Sequence, residues 1–308
     1  MKKTAKDTLT PVELNHGEVL EFTLSNGNVV VMTLLETGGE VVRSDLPSFE
    51  RPVEGAKTLY RFFCEIEVNG KRHRLEREVP SQKSFYEPWE IEGVRIWFDG
   101  VSDIFKSDGG FLEEKDAAHG VCCKPNKKAR FALQDVTLDI CPEEVHLWCP
   151  LPKGGVKIED CYRGEDCWMG PYDGMLTHGG LDINHPAGTP LWVPFDLDDQ
   201  GYFNTVAQGA NNNRWRGVRK WKNGAIWTIQ AHHMTELTVA EHIPLKRGVQ
   251  FAKGAGVLSG AADHSHFVFK IEEDGVTYFL DPWILFWRAK QQSRAKVGTG
   301  ASPRARVA

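Results

Sequence analysis

The sequence lacks an apolar run long enough to cross a membrane as a helix. Its most notable run, from Trp283 to Trp287, is far shorter than the roughly 20 apolar residues that a membrane-spanning helix needs. The start of the chain carries Lys2 and Lys3, but no apolar core follows them, so no secretory signal is visible. We therefore expect no transmembrane segment, and the residues alone leave the compartment open.

A large excess of either positive or negative charge is also missing. Lys and Arg number 37 and Asp and Glu number 42, which gives a formal net charge of −5. Nucleic-acid-binding proteins neutralise phosphates with a basic face, and no such face precedes the tail at 291–308. We expect no nucleic-acid partner, and we expect the basic tail, which is poor in apolar residues, to be disordered.

Paired Cys-x-x-Cys spacings are absent, which excludes a zinc ribbon. The seven cysteines leave at least one thiol unpaired within the chain. A disulfide between Cys161 and Cys167 is one interpretation and requires an oxidising compartment. Buried free thiols are the equal alternative. The sequence does not indicate an oligomeric state.

Sustained helical periodicity is missing as well, and alternating apolar residues take its place. They flank the pairs Asn26-Gly27 and Asn69-Gly70, which is typical of β-hairpins. We predict a mainly β fold, with an N-terminal antiparallel β-domain, a sandwich, over residues 1–145. Within it, residues 1–10 are expected to fray, and the Gly- and charge-rich stretch 103–128 is predicted to be a long loop.

Two histidines near residue 265 fit a β-strand that lines a cleft. Alternate side chains of a strand share a face, so His264 and His266 project one way. Phe267 and Phe269 project the other way. One face of this strand is therefore expected to pack in the core while the other offers two imidazoles.

A second pair of donor residues, His178 and Asp182, precedes that strand. The glycines between them favour a turn that enters a strand over a helix. Together with His266, they would supply two nitrogen ligands and one oxygen ligand to zinc. The fourth tetrahedral position would be left to water, which is typical of catalytic rather than structural zinc sites.

A further histidine candidate lies between these motifs. Strand alternation over 225–233 puts His232 and His233 on opposite faces and makes His232 the better cleft candidate. The Asn223-Gly224 pair upstream predicts a hairpin that joins this strand to 217–221.

This ordered set resembles the signature of lysostaphin-type (LytM-like) zinc metalloendopeptidases, which hydrolyse peptide bonds in bacterial peptidoglycan. The family pattern is His-x-Gly-x-Asp, then Gly-Thr-Pro, then a strand that ends in Ala-His, then His-x-His-Phe. It is matched here by residues His178 to Asp182, Gly188 to Pro190, Ala231-His232 and His264 to Phe267. The match covers about residues 146–285. It implies a C-terminal antiparallel β-sheet peptidase domain, lysostaphin-like and of the duplicated hybrid motif type, over 146–290.

The resemblance also implies roles for individual residues. His178, Asp182 and His266 match the ligands of one Zn²⁺ per chain. His232 and His264 match the two catalytic histidines, and either of them could act as the base. The resemblance suggests a place in the cell envelope or outside the cell, with peptidoglycan or a peptide as the substrate.

Some positions depart from the family pattern. Asp263 and Ser265 stand where the family usually has Pro and Leu. These departures leave the metal set intact and bear on the choice of substrate. Trp215, in a polar insertion, is predicted to face substrate. His185 and His233 are weaker substrate-contact candidates, for which a structural role is the alternative.

Three functions are compatible with this pattern. The first is a zinc endopeptidase acting on peptidoglycan cross-links or glycine-containing peptides. The second is a non-catalytic module on the same fold that binds a wall peptide or a partner. The third is a zinc hydrolase with a different substrate. The filled metal and catalytic positions favour the first.

Overall fold

The structure, a computed structural model, describes residues 1–44, 58–116, 118–171, 175–205, 213–235, 237–254 and 264–299. The β-strands are β1 (Lys2–Thr4), β2 (Thr10–Leu14), β3 (Val19–Thr23), β4 (Val29–Ser44), β5 (Thr58–Val68), β6 (Lys71–Val79), β7 (Trp89–Ile91), β8 (Val94–Val101), β9 (Ala129–Asp135), β10 (Leu181–Asn184), β11 (Pro190–Trp192), β12 (Asp199–Asn204), β13 (Asn213–Lys220), β14 (Ile226–Met234), β15 (Gln250–Lys253), β16 (His264–Glu273) and β17 (Val276–Leu280). One α-helix, α1 (Trp283–Thr299), follows them. Short 3-10 turns occur at Gln82–Ser84, Ser102–Ile104, Lys106–Asp108, Ile158–Asp160 and Tyr162–Gly164.

Two sheets form the N-terminal part, with strand orders β1-β3-β4-β5-β6 and β2-β9-β8-β7. The predicted hairpins are present, because β3 pairs antiparallel with β4 across Asn26-Gly27 and β5 pairs with β6 across Asn69-Gly70. The ring centroids of Phe62 in β5 and Phe98 in β8 lie 5.3 Å apart, so the two sheets meet through buried aromatic side chains. The mainly β fold built from antiparallel sheets is confirmed, although β1 runs parallel to β3.

A six-stranded sheet forms the basis of the C-terminal part. Its strand order is β10-β16-β14-β13-β12, and β17 also pairs with β16. The hairpin predicted at Asn223-Gly224 joins β13 to β14. In this register, Asp182 of β10 and His232 of β14 both lie directly opposite His266 of β16. Three neighbouring strands therefore place these side chains in one row across the sheet.

The opposite face of β16 is apolar, as the alternation predicted. Phe267 stacks on Trp148 with 4.9 Å between ring centroids, and Phe286 of α1 lies 5.3 Å from Phe267. Phe269 lies 5.1 Å from Trp227. This buried aromatic layer fixes the strand whose other face carries the histidines.

The helix α1 begins directly after the last strand. The backbone N–H of Trp283 donates to Oδ1 of Asp281 at 2.9 Å, which caps the helix, and Pro282 stands directly before its first residue. The prediction of a disordered tail from residue 291 was wrong as far as Thr299, where the helix ends. Residues 300–308 lie outside the described part. Among the helices described, none has the length and apolar content needed to span a bilayer.

Two other local predictions have a clear outcome. The expected fraying of residues 1–10 was wrong, because β1 forms there, Lys3 Nζ binds Glu273 Oε1 at 3.0 Å, and Leu9 is buried. All seven cysteines belong to the described residues and all are free thiols. The free-thiol alternative therefore holds, and the disulfide between Cys161 and Cys167 is not formed.

Candidate metal centre

Three donor residues converge beside strand β16 of the six-stranded sheet. Nε2 of His178 lies 3.1 Å from Nδ1 of His266 and 3.4 Å from Oδ1 of Asp182. Nδ1 of His266 lies 2.8 Å from the same carboxylate oxygen. All three side chains are buried. The structure thus brings together the three residues predicted to bind zinc, and their role as ligands remains a prediction.

This donor set fits a zinc ion. A tetrahedral zinc with ligand distances of about 2.0–2.1 Å spaces its donor atoms by roughly 3.3 Å, close to the separations found here. Two ring nitrogens and a carboxylate oxygen that converge in a buried place repel each other unless a cation or a proton lies between them. Nδ1 of His178 donates to the carbonyl oxygen of Cys167 at 3.1 Å, which directs Nε2 toward the centre.

The electrostatic environment differs between the three donor residues. Burial lowers the pKa of His178, but the carboxylates of Asp182, Asp166 and Asp116 outweigh burial and raise that pKa to about 10. Burial raises the pKa of Asp182, but the surrounding histidines, first His178 and then His264, outweigh it and hold the pKa well below its usual value. Burial, followed by the neighbouring His119, lowers the pKa of His266 to about 3, so positive charge is favoured on the ring of His178 and not on that of His266.

Gly180 is a glycine because the ring of His266 takes up the space beside it. A Cβ at this position would lie 2.4 Å from Cε1 of His266 and 2.5 Å from the carbonyl oxygen of Phe267. We expect Gly180→Ala to displace the His266 ring and to weaken zinc binding about tenfold or more, measured by competition with a chelator. Gly201→Ala is the control, because the nearest atoms to its new methyl group belong to the side chains of Glu241 and His242 and not to the donor set. Equal zinc affinity in the two variants would contradict this account.

Comparison with known proteins gives structural matches only. No family model matches the chain, and no curated protein matches it either. The antimicrobial peptidase lysostaphin from Staphylococcus simulans matches with 15% identity and a TM-score of 0.28, over 54% of this chain and 55% of its own. The chain resembles lysostaphin.

Two other solved structures match in the same way. LytU matches with 21% identity and a TM-score of 0.27, over 45% of this chain and 81% of its own. A zinc containing peptidase from Vibrio cholerae matches with 12% identity and a TM-score of 0.31, over 83% of this chain and 74% of its own. This chain spans about half the length of the lysostaphin structure. At these identities and TM-scores, the activity of the chain has to be inferred from the geometry of its own site.

The two histidines predicted to be catalytic lie on either side of the donor set. The ring centroid of His232 is 4.7 Å from that of His266, and Nε2 of His264 is 3.5 Å from Oδ2 of Asp182. Tyr162 stacks on the ring of His264 with 4.1 Å between centroids. Burial, followed by the neighbouring His266, lowers the pKa of His232. Both histidines are brought to the centre, and their catalytic role remains a prediction.

His233 also faces the centre, although strand alternation puts it on the far side of β14. Arg214 pairs with His232 and Asn213 with Met234, so His233 is the extra residue of a β-bulge, with a φ of 58°. The bulge turns its ring to within 4.8 Å of the ring of His264. Burial, the largest cause, lowers the pKa of His233 to about 2, so this ring is neutral at pH 7. Its substrate contact stays a prediction.

The other two residues predicted to contact substrate, His185 and Trp215, make contacts within the protein. Nε2 of His185 lies 2.9 Å from Oγ of Ser265, which ties the loop after β10 to β16. Trp215 is fully buried, and its Nε1–H donates to Oε1 of Gln200 at 2.8 Å. The structure corrects the prediction that Trp215 faces substrate, because the polar residues around it do not prevent β13 from turning the indole into the core.

Two residues at the centre, Asp116 and His119, were not predicted from the sequence. Asp116 and His119 come from the stretch predicted to be a long loop, whose described residues form short turns and isolated bridges, and both lie among the histidines of the centre. A carboxylate three residues before a histidine is too common a spacing to single them out. Asp263, which precedes His264, lies outside the described residues.

Proposed function

We propose that the protein is a zinc-dependent endopeptidase that hydrolyses peptide bonds in peptidoglycan cross-links or in glycine-containing peptides. The single observation that supports the proposal most is the convergence of His178, Asp182 and His266 beside two more histidines. On this proposal the protein acts where its polymer lies, in the cell envelope or outside the cell.

Hydrolysis of an unactivated amide needs a larger rate enhancement than a histidine base alone can supply. A zinc ion at the centre supplies Lewis acidity and a water that ionises near pH 7 instead of near 15.7, a difference of roughly 12 kcal/mol. A positioned histidine contributes about 10²–10⁴-fold, or roughly 3–5 kcal/mol. A zinc ion held by the three ligands would therefore supply the larger share of the rate enhancement. The two further histidines would supply the smaller share.

The two further histidines at the centre have separate proposed roles in proton transfer and in stabilising the oxyanion. Nδ1 of His232 has no hydrogen-bond partner within the described part of the chain, so it can accept a proton from the attacking water. His264, beside Oδ2 of Asp182, can donate a hydrogen bond to the oxyanion that develops on the scissile carbonyl. The two rings can also exchange these roles. Burial of both excludes bulk water from the proton transfer.

The decisive experiment uses His264→Ala. We expect the variant to keep about one bound zinc per chain, measured by atomic absorption, because the three proposed ligands remain. Its hydrolysis of purified peptidoglycan or pentaglycine is expected to fall about 10²–10⁴-fold. His146→Ala is the control, since this histidine is exposed and lies outside the centre.

Three other outcomes would replace or overturn the proposed function. Tight binding of the peptide by the zinc-loaded wild type without turnover would replace the proposal with the non-catalytic binding module. Turnover of only non-peptide compounds in a substrate panel would replace it with a zinc hydrolase of another specificity. A wild type that hydrolyses peptide equally well after complete removal of zinc by a chelator would also overturn it.

A further inference from the structure

A stretch of chain that precedes the peptidase-like region forms one wall of the metal centre. This upstream segment consists of residues 113–116 and 118–123. The backbone N–H of Glu113 donates to the carbonyl of Met175 at 3.1 Å, and the hydroxyl of Thr177 donates to the carbonyl of Glu113. Nη2 of Arg214 donates to the carbonyl of Ala118 at 3.1 Å. The upstream segment is therefore tied to the loop that carries His178 and to strand β13.

The centre of this wall is a carboxylate–histidine pair. Oδ2 of Asp116 accepts from Nδ1 of His119 and from the backbone N–H of Gly179, each at 2.7 Å. Oδ1 accepts from the backbone N–H of Ala118 at 2.8 Å and from that of His119 at 2.9 Å. Asp116 is completely buried. A buried carboxylate with four donors holds the ring of His119 in one orientation.

The ring of His119 lies flat against the ring of His266. Their centroids are 3.6 Å apart and their planes differ by 12°. The ring of His232 is the next one in contact, at 5.2 Å. A metal ion bound to a histidine lies in the plane of its ring, whereas His119 covers the face of that ring. Although donor atoms of His119 lie within 4.8 Å of those of His232 and His266, the stacked ring is placed to support the ring of His266.

The two proposed histidine ligands are held in different ways. His178 is oriented by the hydrogen bond from Nδ1 to the carbonyl of Cys167. Nε2 of His266 has no hydrogen-bond partner in the described residues, although metal-binding histidines usually donate from their second nitrogen. The contact that the structure shows on this ring instead is the stacking of His119.

The loop that carries His178 is shaped to receive the upstream segment. A Cβ at Gly179 would lie 2.5 Å from Cβ of Val121 and 2.9 Å from Cβ of Asp116. Any other residue at this position would push the upstream segment away. The close approach also lets Asp116 bind the backbone of the ligand loop directly.

We propose that His119, held by Asp116, is a positioning residue of the metal centre that fixes the ring of His266 by stacking on it. The inference rests on the proposed zinc site, but it does not require peptidase activity. It makes the upstream segment part of the site, although that segment lies outside residues 146–285, where the sequence motifs match the peptidase family.

The test compares His119→Ala with His119→Phe in the full chain. We expect zinc affinity, measured by competition with a chelator, to fall about 10–100-fold in His119→Ala, the usual effect of removing a residue that orients a ligand. His119→Phe keeps a flat ring on His266 and is expected to restore affinity to within about threefold of the wild type. Asp116→Asn is expected to lie between them. The visible spectrum of the cobalt-substituted protein is expected to change in His119→Ala and to return in His119→Phe.

Three results would overturn the inference. Equal losses in the two His119 variants would mean that a nitrogen of His119 binds the metal. Unchanged zinc affinity in both, with faster peptide hydrolysis, would mean that the upstream segment obstructs the groove. Unchanged affinity and unchanged activity would leave His119 without a role at the centre. Circular dichroism of each variant controls for folding, and a wild type that binds zinc without hydrolysing peptide contradicts the proposed function alone.

Discussion

Asp182→Ala is expected to abolish both zinc binding and peptide hydrolysis. The variant loses the only carboxylate of the proposed ligand set, and two imidazoles alone hold a divalent ion poorly. Without the ion, the contribution of roughly 12 kcal/mol to water activation is lost, so hydrolysis should fall to the uncatalysed background. Bound zinc is measured by atomic absorption after dialysis, and turnover is measured on pentaglycine.

The control for this variant is Asp199→Ala. The side chain of Asp199 lies on β12, is 51% exposed, and pairs with His242 far from the centre. It should bind zinc and hydrolyse peptide as the wild type does. If Asp182→Ala retained one zinc per chain, the carboxylate would not be a ligand, and the proposed centre would need another oxygen or nitrogen donor.

Trp215→Ala is expected to destabilise the protein by about 3–5 kcal/mol, the usual cost of truncating a buried aromatic side chain. The indole stacks on Phe251 with 3.9 Å between ring centroids and 17° between planes. Its loss would open a cavity and leave Oε1 of Gln200 without its donor. The free energy of unfolding is measured by denaturation in urea.

Trp89→Ala is the matched control, because this tryptophan is only half-buried on the short strand β7. It should lose clearly less stability. A Trp215→Ala protein of wild-type stability with a raised KM for peptide would restore the prediction that this ring faces substrate.

The sequence predicts the local parts of the fold well. Each hairpin is encoded by a turn pair and by alternating apolar residues on both sides, as at Asn26-Gly27 and Asn223-Gly224. The placement of His264 and His266 on one face needs only the period of a strand. The family motif then links these residues to His178 and Asp182, which no local rule could bring together.

The remaining features depend on contacts between distant parts of the chain. The ring of His233 reaches the centre only because β14 has one more residue than β13 opposite it, and such a mismatch is invisible in either strand alone. His119 reaches His266 across 147 positions of the sequence, from a stretch with no periodic pattern. The burial of Trp215 depends on Phe251 and Gln200, which arrive from other strands.

The side-by-side arrangement of Asp182, His266 and His232 on β10, β16 and β14 has a consequence for the precision of the centre. Adjacent strands are spaced by about 4.8 Å through their backbone hydrogen bonds. The distance from ligand to ligand, and from ligand to proposed base, is therefore set by the same ladder that holds the sheet together. A slip of β16 by a single residue would turn Phe267 toward the metal centre and His266 into the aromatic layer on the other face. On the proposed function, catalytic competence and correct strand pairing are therefore acquired in one step, and a sheet with the wrong register would be inactive.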